Sequence, residues 1–102
     1  MSEYITVALI DDIPEGNILK VSAAGKDILL VNYSGVIYAL DSICPHAGGD
    51  LSDGYLQDSR IHCPWHGWSF NLTDGKSPLY PNMGIQSYPV RLRNNTVQIQ
   101  LP

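Results

Sequence analysis

The sequence predicts an all-β domain, and three observations carry that reading. Short runs rich in Val, Ile, Leu and Tyr recur towards both ends of the chain, each bounded by Gly, Pro, Asn or Ser. The final run alternates, with Thr96, Gln98 and Gln100 on one face and Val97, Ile99 and Leu101 on the other, so one face is buried and one wet. No segment repeats its apolar residues at a helical period.

The elements follow in order. Tyr4 to Ile10 reads as the first strand, closed by the Pro14-Glu15-Gly16 turn. Ile18 to Ala23, Ile28 to Tyr33 and Val36 to Leu40 are the next three, separated by Ala24-Gly25 and Ser34-Gly35. At the far end Ile85 to Arg93 and Thr96 to Leu101 flank Asn94-Asn95, a hairpin turn. The middle, from residue 41 to about 83, is different in texture. It holds only short strands, Tyr55 to Gln57, Arg60 to Cys63 and Trp68 to Asn71, broken by Asp53-Gly54, Asp58-Ser59 and Asp74-Gly75. At 102 residues the chain is one domain, 1–102, without repeats or linkers.

The chemistry is concentrated in that middle. Cys44-Pro45-His46 and Cys63-Pro64-Trp65-His66 contain both cysteines and two of the three histidines. A thiolate and an imidazole repeated in tandem offer a metal site four ligands, two soft and two borderline. Residues two apart in an extended segment point to the same side, roughly 6.5 Å apart, and a Pro-led turn brings Cys63 and His66 round in the same way. Structural zinc also takes Cys₂His₂ sets, but its modules space them Cys-x₂₋₄-Cys and His-x₃₋₅-His, whereas here each loop carries one of each. A disulfide between Cys44 and Cys63 would leave both matched histidines without a role.

Cys44-Pro45-His46-Ala47-Gly48-Gly49 followed by Cys63-Pro64-Trp65-His66-Gly67-Trp68-Ser69-Phe70 resembles the two cluster-binding boxes of Rieske-type ferredoxins, the soluble partners of aromatic-ring dioxygenases. Leu51-Ser52-Asp53-Gly54, Asp74-Gly75-Lys76 and Tyr88-Pro89-Val90 match that family too, so the resemblance is close over residues 41 to 90. It implies a Rieske fold, in which a cluster-binding subdomain, approximately 41–83, is inserted into a small antiparallel β-sandwich-like base. It also implies one Rieske [2Fe–2S] cluster ligated by Cys44, His46, Cys63 and His66. Two ferric ions, two sulfides, two thiolates and two neutral histidines sum to no net charge, and an electron enters a neutral centre more easily than an all-cysteine dianion. Gly48, Gly49 and Gly67 beside the ligands let backbone N–H groups approach the sulfurs.

Two departures within the resemblance bear on potential. Membrane-anchored Rieske proteins of cytochrome bc complexes carry a further disulfide where this chain has Gly49 and Trp65, and donate hydrogen bonds from a serine and a tyrosine where it has Trp68 and Phe70. Fewer donors stabilise the added electron less, so the potential is expected in the lower part of the ~−150 to +300 mV Rieske range. Pro78-Leu79-Tyr80-Pro81 is expected to be the loop that covers one side of the cluster, proline supplying fixed φ with no N–H. Trp65 is read as an exposed docking anchor, Trp68 as core, and His62 as a polar residue on a wet face.

Composition limits the partners. Six basic and ten acidic side chains give a formal charge of −4, which argues against nucleic acid as a partner, because phosphate binding needs a basic face. Asp41, Asp50, Asp53 and Asp58 are placed to steer the cluster region towards basic patches on redox partners. No stretch approaches the ~18 apolar residues of a membrane span and no signal peptide opens the chain, which predicts a cytoplasmic protein. The family resemblance implies a one-electron carrier between a flavoprotein reductase and a terminal oxygenase, and no catalysis of its own. A second function stays open, the small Rieske-like subunit of an assimilatory NADH-dependent nitrite reductase, for which the partner is the large subunit.

Overall fold

A computed structural model describes residues 3–44, 49–64, 68–78 and 82–101. In chain order the strands are β1 (Tyr4–Leu9), β2 (Ile18–Ala23), β3 (Lys26–Tyr33), β4 (Val36–Asp41), β5 (Tyr55–Gln57), β6 (Arg60–His62), β7 (Ser69–Asn71), β8 (Ser87–Tyr88), β9 (Val90–Arg93) and β10 (Thr96–Gln100). They form three antiparallel sheets with orders β1-β10-β9, β2-β3-β4-β8 and β5-β6-β7. Among the described residues the only helical turns are single 3₁₀ turns, Ile10–Asp12 and Leu51–Asp53, and no helix is long and apolar enough to cross a membrane.

The middle sheet holds the molecule together. Ile28, Leu29, Leu30 and Val31 on β3 are all fully buried, as a strand covered on both faces requires. Side chains alternate along a strand, so the run divides between two cores. Ile28 and Leu30 join Ile13, Ile37, Ala39, Tyr88, Val97 and Ile99 against the β1-β10-β9 sheet. Leu29 and Val31 join Leu40, Leu51, Ile61, Phe70, Leu72 and both cysteines on the other side. The expected base is therefore the first two sheets, and the β5-β6-β7 layer lies between β4 and β8 in sequence and packs on the base's far face.

Turn chemistry sets the hairpins. Both central residues have positive φ in Ala24-Gly25, Ser34-Gly35, Asp58-Ser59 and Asn94-Asn95, the condition for the two-residue loops whose twist suits antiparallel strands. The alternation read in the last strand holds: Val97 and Ile99 are buried between half-buried Thr96, Gln98 and Gln100.

Three differences from the sequence reading have physical causes. The first strand stops at Leu9, because Asp12 accepts the Leu9 N–H (3.1 Å) and winds Ile10–Asp12 into a 3₁₀ turn. The expected strand from Ile85 to Arg93 is two strands in two sheets: Pro89 has no N–H for a ladder, so β8 pairs with β4 before it and β9 with β10 after it. Asp50 caps the Leu51–Asp53 turn through the Ser52 N–H (2.9 Å), where a simple turn was expected.

Leu40 is fully buried in the core that also holds both cysteines. Leu40→Ala is expected to lower unfolding free energy by roughly 2–5 kcal/mol, whereas Val36→Ala, at a half-exposed position, should stay within about 0.5 kcal/mol; urea unfolding of the two variants measures the contrast.

Candidate metal centre

Both cysteine loops are built the same way. After β4, Ile43 pairs with Asp50 across a neck, Leu51 donates to the Ser42 carbonyl (2.7 Å), and the Cys44 N–H donates to the Gly49 carbonyl (2.8 Å). After β6, the Cys63 N–H donates to the Trp68 carbonyl (2.7 Å) and β7 begins. In each case the cysteine amide closes its own loop onto the residue five positions on. Each cysteine is therefore tied by its own amide to the far side of its loop's neck.

The two thiols point inward. Cys44 and Cys63 are 0% and 2% exposed, belong to one apolar cluster, and are not joined in a disulfide. Leu51 and Ile61 lie in the same cluster, and half-buried Leu56 and Trp68 pack against it. A buried sulfur pair in apolar surroundings suits a metal site, because a thiolate there needs a cation beside it. Ser42, two residues before Cys44, adds a wholly buried hydroxyl with no partner among the described residues.

Of the four expected ligands, Cys44 and Cys63 are thus brought together. His46, His66, Trp65 and the Leu79-Tyr80-Pro81 part of the expected covering loop lie outside the described residues. Trp68 is half-buried against the core with its ring tilted 40° to Phe70 at 6.5 Å. Phe70 is fully buried and offers no donor.

His62 has more structure around it than a wet-face residue needs. It is half-buried, its ring stacks on the exposed cross-strand Tyr55 (4.8 Å, 5°), and Nε2 lies 3.2 Å from the Gln57 carbonyl oxygen. The β5-β6 pairing that creates this stack was legible from the Asp58-Ser59 turn. Its closeness to Leu51–Asp53 depends on Gly54, where a Cβ would stand 2.1 Å from the His62 carbonyl oxygen.

The acidic residues divide. Asp41 accepts from the Tyr88 hydroxyl (2.5 Å) and the Gln86 N–H (3.3 Å), and pairs with Lys26 at 3.3 Å. Asp50 pairs with Lys20 at 2.5 Å and caps the turn that follows. These two carboxylates are structural before they are electrostatic; Asp53 and Asp58 remain exposed, where steering is expected. Burial pushes the Asp50 carboxyl up, but the Lys20 and Ser52 hydrogen bonds together hold it below the usual range.

Known proteins share this fold. The Rieske [2Fe–2S] domain profile matches residues 3–89. The ferredoxin component of the naphthalene 1,2-dioxygenase/salicylate 5-hydroxylase systems of Ralstonia sp. is 38% identical over 99 residues, 96% of this chain and 95% of that one. A chain from the complex of reduced oxygenase and oxidized ferredoxin in carbazole 1,9a-dioxygenase superposes with a TM-score of 0.85 at 25% identity, covering 95% of this chain and 92% of its own. The putative NADH-dependent nitrite reductase small subunit of Mycobacterium tuberculosis has the same fold, with a TM-score of 0.92 at 21% identity over all of this chain and 97% of its own.

These matches define the class, a small iron–sulfur protein. The chain belongs to the Rieske [2Fe–2S] domain family, and its cofactor is a Rieske-type [2Fe–2S] cluster.

Tyr88, on β8, supplies a pH handle through its bond to Asp41 at the end of β4, the strand that leads into the first loop. Burial, then its hydrogen bond to Asp41, raises the Tyr88 hydroxyl above its ordinary value. A raised native pKa means the contribution is complete below the ordinary tyrosine value of about 10 and is lost as pH rises through the higher native one. Tyr88→Phe is therefore expected to cost about 1 kcal/mol at neutral pH and to flatten the alkaline limb of a stability–pH curve, read by urea midpoints between pH 8 and the onset of alkaline unfolding.

Proposed function

We propose that this chain is a one-electron carrier that takes electrons from a flavoprotein reductase and delivers them to a terminal oxygenase. The observation that carries the reading is the pair of buried, unbridged thiols heading two loops that each place a histidine two or three residues on. Cys44 and Cys63 would hold one iron, His46 and His66 the other. When bound, the cluster supplies a one-electron redox centre of raised potential. The apolar layer of Leu29, Leu40, Leu51, Ile61 and Phe70 keeps water from the sulfur side, and the two cysteine amides fix where each loop starts. The chain transforms no substrate itself.

The whole of 1–102 acts as a single domain, with the cluster-binding subdomain at approximately 41–83, in the cytoplasm. The nitrite reductase alternative shares the fold, so the fold does not separate the two. The full-length 38% identity to a dioxygenase ferredoxin component supports the diffusible carrier.

Dithionite-reduced protein is expected to give a paramagnetic resonance signal with average g below that of an all-cysteine cluster, at a midpoint in the lower part of ~−150 to +300 mV. Cys44→Ser and His66→Ala should each lose that signal; a colourless protein holding zinc would overturn the assignment. Trp65→Ala is expected to keep full iron content yet weaken oxygenase affinity at least about fivefold, measured by titrating reduced carrier against oxygenase turnover. A chain that purifies only with a large sirohaem subunit supports the alternative instead.

A further inference from the structure

Lys20 stands on β2, in the base, yet its ammonium reaches the cysteine-loop layer. Its Nζ lies 2.5 Å from Asp50 Oδ2. The backbone puts Asp50 there: it faces Ile43 across the neck of the first loop and follows Gly49, whose carbonyl takes the Cys44 N–H. The other oxygen, Oδ1, accepts the Ser52 N–H and hydroxyl at 2.9 and 2.7 Å. Three segments therefore meet on one carboxylate: β2, the loop neck and the Leu51–Asp53 turn.

An exposed ion pair adds little to global stability, so the consequence is local. A carboxylate at the neck of a redox loop opposes the arrival of an electron, and an ammonium seated on it cancels much of that field. The pair also ties the neck to β2, the edge strand of the base's middle sheet. We propose that Lys20 is a positioning residue for the metal centre, acting through Asp50 to hold the first loop's neck and to neutralise the carboxylate beside it. The proposal rests on Cys44 being a cluster ligand.

The test is a potentiometric titration of holoprotein, followed by paramagnetic resonance, for wild type, Lys20→Met, Lys20→Arg, Asp50→Asn and the Lys20→Met/Asp50→Asn double variant. Lys20→Met is expected to lower the midpoint, Asp50→Asn to raise it, the double variant to return towards wild type, and Lys20→Arg to match wild type. Opposite signs from the two partners are not what loss of packing alone produces. The differences should shrink at high salt. A Lys20→Met midpoint at or above wild type overturns the proposal, as does a Lys20→Arg midpoint as low as that of Lys20→Met. Should Asp50→Asn fail to fold for want of its cap, the two Lys20 variants decide alone. A wild-type protein without the histidine-ligated signal overturns the ligand assignment, and the proposal with it.

Discussion

Two thiols buried in one apolar layer without a bond between them are the constraint on which the rest of this structure turns. Sulfur so placed would ordinarily be inert packing or one half of a disulfide. Here each is the first residue of a loop whose neck its own amide closes, Cys44 to Gly49 and Cys63 to Trp68. The hydrogen bond fixes where each loop begins, next to the core that buries its cysteine. The two cysteines come together because both necks are anchored to the same layer, and the shared cluster of Leu29, Leu40, Leu51, Ile61 and Phe70 is that anchor.

That layer explains the odd burial of β3. A strand carrying Ile, Leu, Leu and Val in succession has no wet face to offer, and it finds cover on one side from β10 and on the other from the cysteine layer. The base is consequently not a finished sandwich to which a metal subdomain was added. Its middle sheet is completed by that subdomain, which gives the metal region a rigid backing at the packing density of a core.

Much of this was legible in the chain. The only two cysteines, each followed by a proline and a histidine, marked the two loops whose necks the cysteine amides close, and dipeptides such as Ala24-Gly25 and Asn94-Asn95 marked the hairpins because few residues tolerate positive φ. Pro89 was a visible reason to divide the Ile85 to Arg93 run, since a proline cannot donate to a ladder. What the sequence hid were partnerships between distant residues. Tyr88 and Asp41 stand 47 positions apart and Lys20 and Asp50 stand 30 apart; neither pairing follows from any local pattern. Nor could sequence distinguish a carboxylate offered to a partner from one already engaged.

That last distinction changes how the acidity of the chain is understood. The formal charge of −4 invites a picture in which carboxylates near the ligand loops all face outward to attract basic partners. Asp41 and Asp50 instead turn towards lysines of the base, and each also accepts hydrogen bonds from the segments it joins. Since a Rieske cluster with neutral histidines is uncharged when oxidised, the field at its loops is set mainly by the protein groups left unbalanced nearby. The two carboxylates closest in sequence to Cys44 are each paired with a lysine, while Asp53 and Asp58 are exposed. Asp41 therefore ties strands of the base sheet to one another, Asp50 ties the first loop's neck to β2, and Asp53 and Asp58 stay exposed.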